Sequence, residues 1–315
     1  MAAPADSYQA RFERRWGHLK HPHVRALAWL LDAPDLLDPL DPHWEGRIAS
    51  LGELPAATDA WLQRVDDDPA GLDAELGDRI YTRLGLYAEK LMAFYYREHG
   101  MLVAHGLQVR AARNDTVGEF DFLLDAGPDA VEHIEFATKF YLLEGEAASR
   151  FDTFVGPNLA DSLGAKMRKI FDKQLALGQH PAAQAVLPRP VTSARALVKG
   201  WLFYQAGAQR ETVGISALHC RGFWCALEDV ASLDAQQFVV LPRLQWLAPY
   251  RLESMEGLLR RAQLHEKLAA QFEAVPMPVL VAIVREVEGS LVETGRGFIV
   301  PDNWRALAAF RQKLG

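Results

Sequence analysis

The stretch GEFDFLLDAGPDAVEHIEFATKFYLL, residues 118–143, decides how this chain is read. Over residues 118–124, Glu119 and Asp121 fall on one face of a strand and Phe120, Phe122 and Leu124 on the other, because successive side chains alternate. Over residues 131–143, Glu135, Ala137 and Lys139 share a face against Phe136, Thr138 and Phe140. The turn-forming AGPDA between them predicts a hairpin. A turn centred on Pro128 places Asp121 opposite Glu135 and Glu119 opposite Ala137. Opposed Cβ atoms on a sheet lie about 4.5–5.5 Å apart, so two facing carboxylates repel. A divalent cation between them offsets that repulsion, and oxygen ligands suit magnesium or manganese. Lys139 adds a positive charge on the same face, where an attacking hydroxide or a phosphate oxygen would sit. The combination suits metal-assisted phosphodiester hydrolysis. A structural ion-pair network is the plainer alternative.

Working outward, IYTRLGLYAEKLMAFYY (Ile80–Tyr96) keeps Ile80, Leu84, Tyr87, Leu91 and Phe94 at helical spacing and predicts a long, well-buried helix. Glu89 stands at the border of its apolar stripe, where a buried ion pair and metal ligation compete evenly. MLVAHGLQVR (101–110) reads as a further strand, followed by the turn RNDT. On the other side, NLADSLGAKMRKIFDKQLALG (158–178) predicts a helix stopping at Gly178, and ALVKGWLFYQ (196–205) a strand. Helix, three strands, helix and strand form a compact α/β unit over residues 79–206. In the second helix Lys166, Lys169 and Lys173 share a face, with Arg168 and Gln174 nearby. These residues suit either contacts to a phosphate backbone or a solvated surface.

This order of elements resembles the restriction-endonuclease-like PD-(D/E)XK fold, with a mixed central sheet flanked by helices. The resemblance implies that Asp121 takes the place of the family's first acid and Lys139 that of its lysine. It also implies that Glu89 stands where many exonuclease-type members carry an additional acid, and that the helix bearing Lys166, Lys169, Lys173 and Gln174 contacts DNA or RNA. The strings RLGLYAEKL, GEFDFLL, HIEFATKFYLL, VGPNLADSLGAK, KGWLFY, LPRLQWLAP and GRGFIVPDNW resemble, over nearly the whole chain, the bacterial family known as domain of unknown function 1853. That family implies the nuclease-like fold without supplying an established activity. In one respect the chain departs from the superfamily pattern: the second acid belongs two residues before the lysine, and Ala137 stands there. Glu135 is displaced along the strand by about 6.5–7 Å, at a rise of ~3.3 Å per residue. The candidate catalytic residues are therefore Asp121, Glu135 and Lys139, and the candidate magnesium or manganese ligands are Asp121, Glu135, Glu89 and Glu119. The departure equally suits a catalytically degenerate module that binds nucleic acid or a protein partner.

The ends of the chain read as extensions. Residues 1–78 predict a helical, acidic segment, with Tyr8, Phe12 and Trp16 at helical spacing and VRALAWLL after Pro22. Residues 51–80 carry eight acids against Arg64 and Arg79 and read as loop-rich, so most of the net charge of −7 sits there. A body near neutrality remains free to carry basic faces, and the total charge does not exclude a nucleic-acid partner. Residues 207–315 predict an α/β extension: a strand at FWCALEDV, the segment QQFVVLPRLQWLAPY, a helix over Met255–Phe272, the run PVLVAIVREV, a hairpin through Glu288, Gly289 and Ser290, and a short final helix.

His18, His21 and His23 suit surface or capping roles better than metal binding, because Pro22 interrupts their spacing. Trp201, Trp224, Trp246 and Trp304 read as core or seam residues. Cys220 and Cys225 are too few for a cysteine-only zinc site and read as reduced, buried thiols of a cytoplasmic protein. The longest plainly apolar run, Val279–Val284, is far short of the ~18–20 residues of a membrane span, and no secretory pattern opens the chain. No phosphate loop, dinucleotide fingerprint, GxSxG elbow or HExxH motif is present.

Overall fold

A computed structural model of the chain describes residues 7–78, 80–112, 115–145, 151–205, 212–251, 255–287 and 289–314. The first five helices are α1 (Tyr8–Trp16), α2 (Pro22–Asp32), α3 (Ala56–Asp67), α4 (Ala70–Leu76) and α5 (Leu84–Glu98). The Ser7 hydroxyl caps α1 by accepting from the Ala10 amide at 3.2 Å. Tyr8, Phe12 and Trp16 are buried as their spacing demands. Expected as loop, the acidic window is largely helical. Leu62, Val65, Leu72 and Leu76 face inward from α3 and α4, while none of the acids there is buried. The helix expected from Ile80 begins instead at Leu84, leaving Ile80 86 % exposed.

Among the described residues ten strands form one sheet. They are β1 (Leu102–Ala112), β2 (Asp115–Asp125), β3 (Val131–Leu143), β4 (Phe154–Val155), β5 (Val191–Tyr204), β6 (Cys220–Ala226), β7 (Gln237–Val240), β8 (Leu259–Arg260), β9 (Val279–Val287) and β10 (Ser290–Val300). The order across the sheet is β1-β2-β3-β5-β6-β10-β9-β7-β8, with β4 paired to the end of β3. β3, β5, β6 and β10 run parallel at the centre, and the flanking pairs are antiparallel. The protein is thus α/β, with a large mixed sheet flanked by helices.

The strands at the centre are apolar on both faces, as strands covered on both sides must be. Phe136, Phe140, Leu142, Trp201 and Phe203 pack with α1–α5 on one face. Ala137, Tyr141, Val198 and Leu202 face the other way, against α6 (Leu163–Lys169) and residues around Trp44. On that second face α8 (Arg261–Ala274) packs Leu264, Leu268 and Phe272 on Val279, Val281 and Ile299. The short α7 (Pro181–Gln184) lies by β1, and α9 (Trp304–Leu314) closes the fold.

Three other expectations are corrected. Residues 158–178 are not one helix. Asn158 and Asp161 hold a loop, with Asn158 Oδ1 accepting from the Ala160 amide at 3.3 Å, and Ser162 caps α6. After α6 comes a π-turn over Ile170–Gln174, closed by Leu175 N–H donating to the Ile170 carbonyl at 2.9 Å, and then a 3₁₀ turn. The segment FWCALEDV is strand only to Ala226, and Glu228–Ser232 is a 3₁₀ turn. The helix expected from Met255 begins at Arg261, because Leu259 and Arg260 pair with β7. The RNDT turn at residues 113–114, the hairpin residue Glu288 and the expected boundary at residues 206/207 lie outside the described residues.

Candidate active site

The sheet splits at the hairpin that opened the sequence reading. β2 and β3 pair from Asp125↔Val131 to Phe122↔Ile134, the register expected from a turn at Pro128, and the pairing then stops. Asp121 is the cause of the split's shape. Its Oδ2 accepts from the Phe136 amide at 2.9 Å, so a carboxylate takes the place of the next backbone partner. The edge of β3 beyond this point lines a cleft of about 760 Å³. Glu89 from α5, Asp121 from β2, Glu135 and Lys139 from β3, and Lys166 and Gln174 from the α6 region all border it.

Glu135 is 4 % exposed and Asp121 half-buried, and the two carboxyl groups hydrogen-bond to each other. Burial is the main reason that both hold their proton far above the usual carboxylate range. The charges of Glu135 and Glu89 push Asp121 further up, against the opposing Phe136 amide. For Glu135, the Asp121 hydrogen bond and the Lys139 charge pull the other way. The Gln174 amide donates to Glu135 Oε1, whereas Oε2 is buried with no hydrogen-bond partner, 3.8 Å from His133 Nε2. His133 is fully buried, neither ring nitrogen has a partner, and burial draws it down to about 4. Lys139 is lowered by burial and then by Lys166, and no ion-pair partner lies within 4 Å of it among the described residues. Gly200 pairs with Lys139 across β3 and β5, and a Cβ at that position would fall on the Lys139 carbonyl oxygen. Glycine there allows the lysine-bearing strand to lie close.

Two sequence candidates stand apart from this cluster. Glu119 is exposed and accepts from Gln108 at 3.3 Å instead of joining Asp121. Its separation has a backbone cause. At Asp121, beside the positive-φ Gly106 of β1, the alternation of β2 breaks, and Phe120 and Phe122 enter different core clusters. The expected single face of Lys166, Lys169 and Lys173 is likewise broken. The π-turn falls between Lys169 and Lys173, bringing Gln174 to Glu135 while Lys173 stays exposed outside the cleft. Lys166 pairs with Asp161 at 3.0 Å, and exposed Lys169 acts on Glu135 through its charge.

Glu89 borders the cleft, and its Oε1 lies 2.7 Å from His105 Nε2, the pairing anticipated as the alternative to metal ligation. Burial and the hydrogen-bonded Asp161 push the Tyr141 hydroxyl well up at the far end of the cleft. The histidines near α2 pair with the following helices: His23 Nδ1 lies 2.7 Å from the Tyr87 hydroxyl of α5 and His21 Nε2 lies 3.7 Å from Asp73 of α4.

Arg83, Arg243 and Trp246 also border the cleft and had no local signal, since they come from residues far apart in the chain. The turn bearing Arg243 and Trp246 is held by buried Arg296, which donates to the carbonyls of Trp246 and, at 2.7 Å, Ala248. The opposite wall, Gly156–Asp161, is held by α9: Trp304 Nε1–H donates to the Pro157 carbonyl at 2.7 Å, and Arg311 donates to the Leu159 carbonyl.

The donor set suits a hard divalent cation in its chemistry, being two carboxylates with one buried oxygen left without a partner. Among the described residues no group of three or more His, Cys, Asp and Glu side chains converges to hold a metal ion. Asp121 and Glu135 would therefore supply the protein ligands, with water and substrate completing the shell, as magnesium commonly allows.

A family model described as Domain of unknown function (DUF1853) matches residues 25–300. The chain belongs to this family. The match takes in both strands of the acid pair, the α6 region and the 241–250 turn, so the cleft lies wholly within the family's span. No curated protein and no solved structure matches the chain. Among the described residues no helix is long and apolar enough to cross a membrane.

Proposed function

We propose that the cleft is the active site of a magnesium- or manganese-dependent phosphodiesterase acting on DNA or RNA, built on a core similar to the PD-(D/E)XK nucleases. The observation that carries this reading is the buried Asp121–Glu135 pair with unpaired Lys139 beside it. Two carboxyl groups held together in a dry site are poorly suited to stability alone, and a divalent cation is the partner that lets both ionise. When bound, such an ion supplies Lewis-acid neutralisation of the phosphate. Asp121 and Glu135 hold it. Gln174 fixes the orientation of Glu135, and Phe136 N–H fixes that of Asp121. Lys139 orients the attacking water and meets negative charge as it develops. Its lowered affinity for its proton suits an exchange with that water. Cys220 and Cys225, both free thiols, accord with work in the cytoplasm.

With manganese, the full chain is expected to nick or degrade single- or double-stranded DNA or RNA, seen on denaturing gels. Asp121→Ala or Lys139→Ala should abolish this, and unchanged cleavage in both variants would defeat the assignment.

Ala137 at the usual second-acid position, with fewer than three clustered metal ligands among the described residues, favours a second reading. In it, the fold binds nucleic acid or a protein without cleaving. Nucleic-acid binding with no cleavage in any divalent metal would select it.

A further inference from the structure

We propose that the substrate of this cleft is single-stranded nucleic acid, with a base stacked at Trp246 and its phosphates held by Arg83 and Arg243. The inference rests on the nucleic-acid reading above and adds the strand form and the residues that select it. The first support is size. A cleft of about 760 Å³ is in the ~300–1,000 Å³ range of sites that enclose small ligands, the size of one or two unpaired nucleotides rather than a duplex. Glu135 at its base is only 4 % exposed, so a phosphate must enter between the walls to reach it. A strand freed from its partner can do so, and an intact duplex is held off at the rim.

Chemistry at the rim is the second support. Trp246 is half-buried and packs against Phe140 at 5.6 Å and Phe298 at 5.2 Å between centroids, which fixes the indole at the cleft border. The Arg243 guanidinium lies 5.2 Å over the ring. Exposed Arg83 stands at the start of α5, and neither arginine has an ion-pair partner among the described residues. Aromatic platforms flanked by free cations are how single strands are bound without sequence preference, since every base has a face to stack. Rigidity is the third support. Arg296 and the Trp201 indole N–H, which donates to the Leu247 carbonyl at 3.0 Å, hold the turn in place before any ligand arrives.

Fluorescence anisotropy with labelled oligothymidine, oligouridine and a duplex of equal length tests this on the full chain. EDTA keeps cleavage out of the measurement. Either single strand should bind at least about tenfold more tightly than the duplex, and Trp246→Ala should weaken single-strand binding about tenfold, in line with a lost base stack. Arg83→Ala and Arg243→Ala should each lower the salt dependence by about one phosphate contact. Should Trp246→Ala fail to fold, loss of ligand-induced tryptophan quenching in Trp246→Phe reports the same contact. Equal or tighter duplex binding, no binding of any strand, or unchanged single-strand affinity in the Trp246 variants would overturn the inference. Manganese-dependent cleavage by the same preparation would in that case leave the phosphodiesterase reading standing.

Discussion

Glu293 with Arg296, and Asp121 with Glu135, are both buried charge clusters, and they are built in opposite ways. Arg296 is fully buried and meets Glu293 through two bonds of 2.6 and 2.7 Å. It also donates to the carbonyls of Trp246 and Ala248 and lies 4.3 Å over the Trp201 ring. The second oxygen of Glu293 accepts from the Tyr250 amide at 2.8 Å. Every charge there is opposed and nearly every donor used, as a structural cluster in a dry interior requires. Asp121 and Glu135 instead are two acids side by side, hold protons that carboxyl groups normally release, and leave Glu135 Oε2 without a hydrogen-bond partner among the described residues. One cluster is complete in itself. The other is complete only with something from outside the chain, which is why we place the chemistry there.

The contrast breaks most severely at Arg296. Arg296→Met strands Glu293 without its counter-charge and frees the turn carrying Trp246, so a loss of about 3–5 kcal/mol is expected in urea unfolding. Next in size is Asp121→Asn, which should reduce metal-dependent cleavage by roughly a hundredfold or more while leaving the fold intact. Its stability should differ from wild type in pH dependence. The pair's folded protonation range lies above the unfolded one, so between about pH 4 and neutrality the folded chain retains a proton that the unfolded chain has released. Wild-type stability contributed by the pair is then present at low pH and falls as pH rises through that window. Asp121→Asn flattens the fall, measured as denaturation midpoints from pH 4 to 8.

Gly200→Ala should cost about 1–3 kcal/mol by forcing β5 away from the Lys139 carbonyl, with a loss of activity that Ala substitutions elsewhere on β5 do not cause. The smallest effect is at His133. His133→Phe replaces two ring nitrogens without hydrogen bonds by carbon beside Phe120 but also leaves Glu135 Oε2, 3.8 Å away, facing an apolar ring, so a change of less than about 1 kcal/mol in unfolding free energy is expected.

How legible the site was depends on how local its causes are. The register from Asp125↔Val131 to Phe122↔Ile134, which brings Asp121 near Glu135, follows from a five-residue turn written in adjacent residues. The parallel pairing of β3, β5, β6 and β10 was not read from the residues, because it joins strands far apart in the chain. Glu119 was misplaced because the alternation of β2 breaks at Asp121, and the pattern of residues alone does not register that break. Lys173 and Gln174 exchanged places because of a π-turn, whose extra residue per turn has no compositional mark. Arg83, Arg243 and Trp246 meet only through the tertiary fold, so only a sheet that joins the central unit to the C-terminal strands brings them to one rim.

The most direct test of the account is titration calorimetry of the full chain with magnesium and manganese, in two buffers of different protonation enthalpy. A saturable site that releases protons as the ion binds, and that is lost in Asp121→Asn, is the expected result, because the ion must displace protons held by the acid pair. Absence of divalent binding, or binding undiminished in Asp121→Asn, would contradict the claim that this pair is kept for a metal.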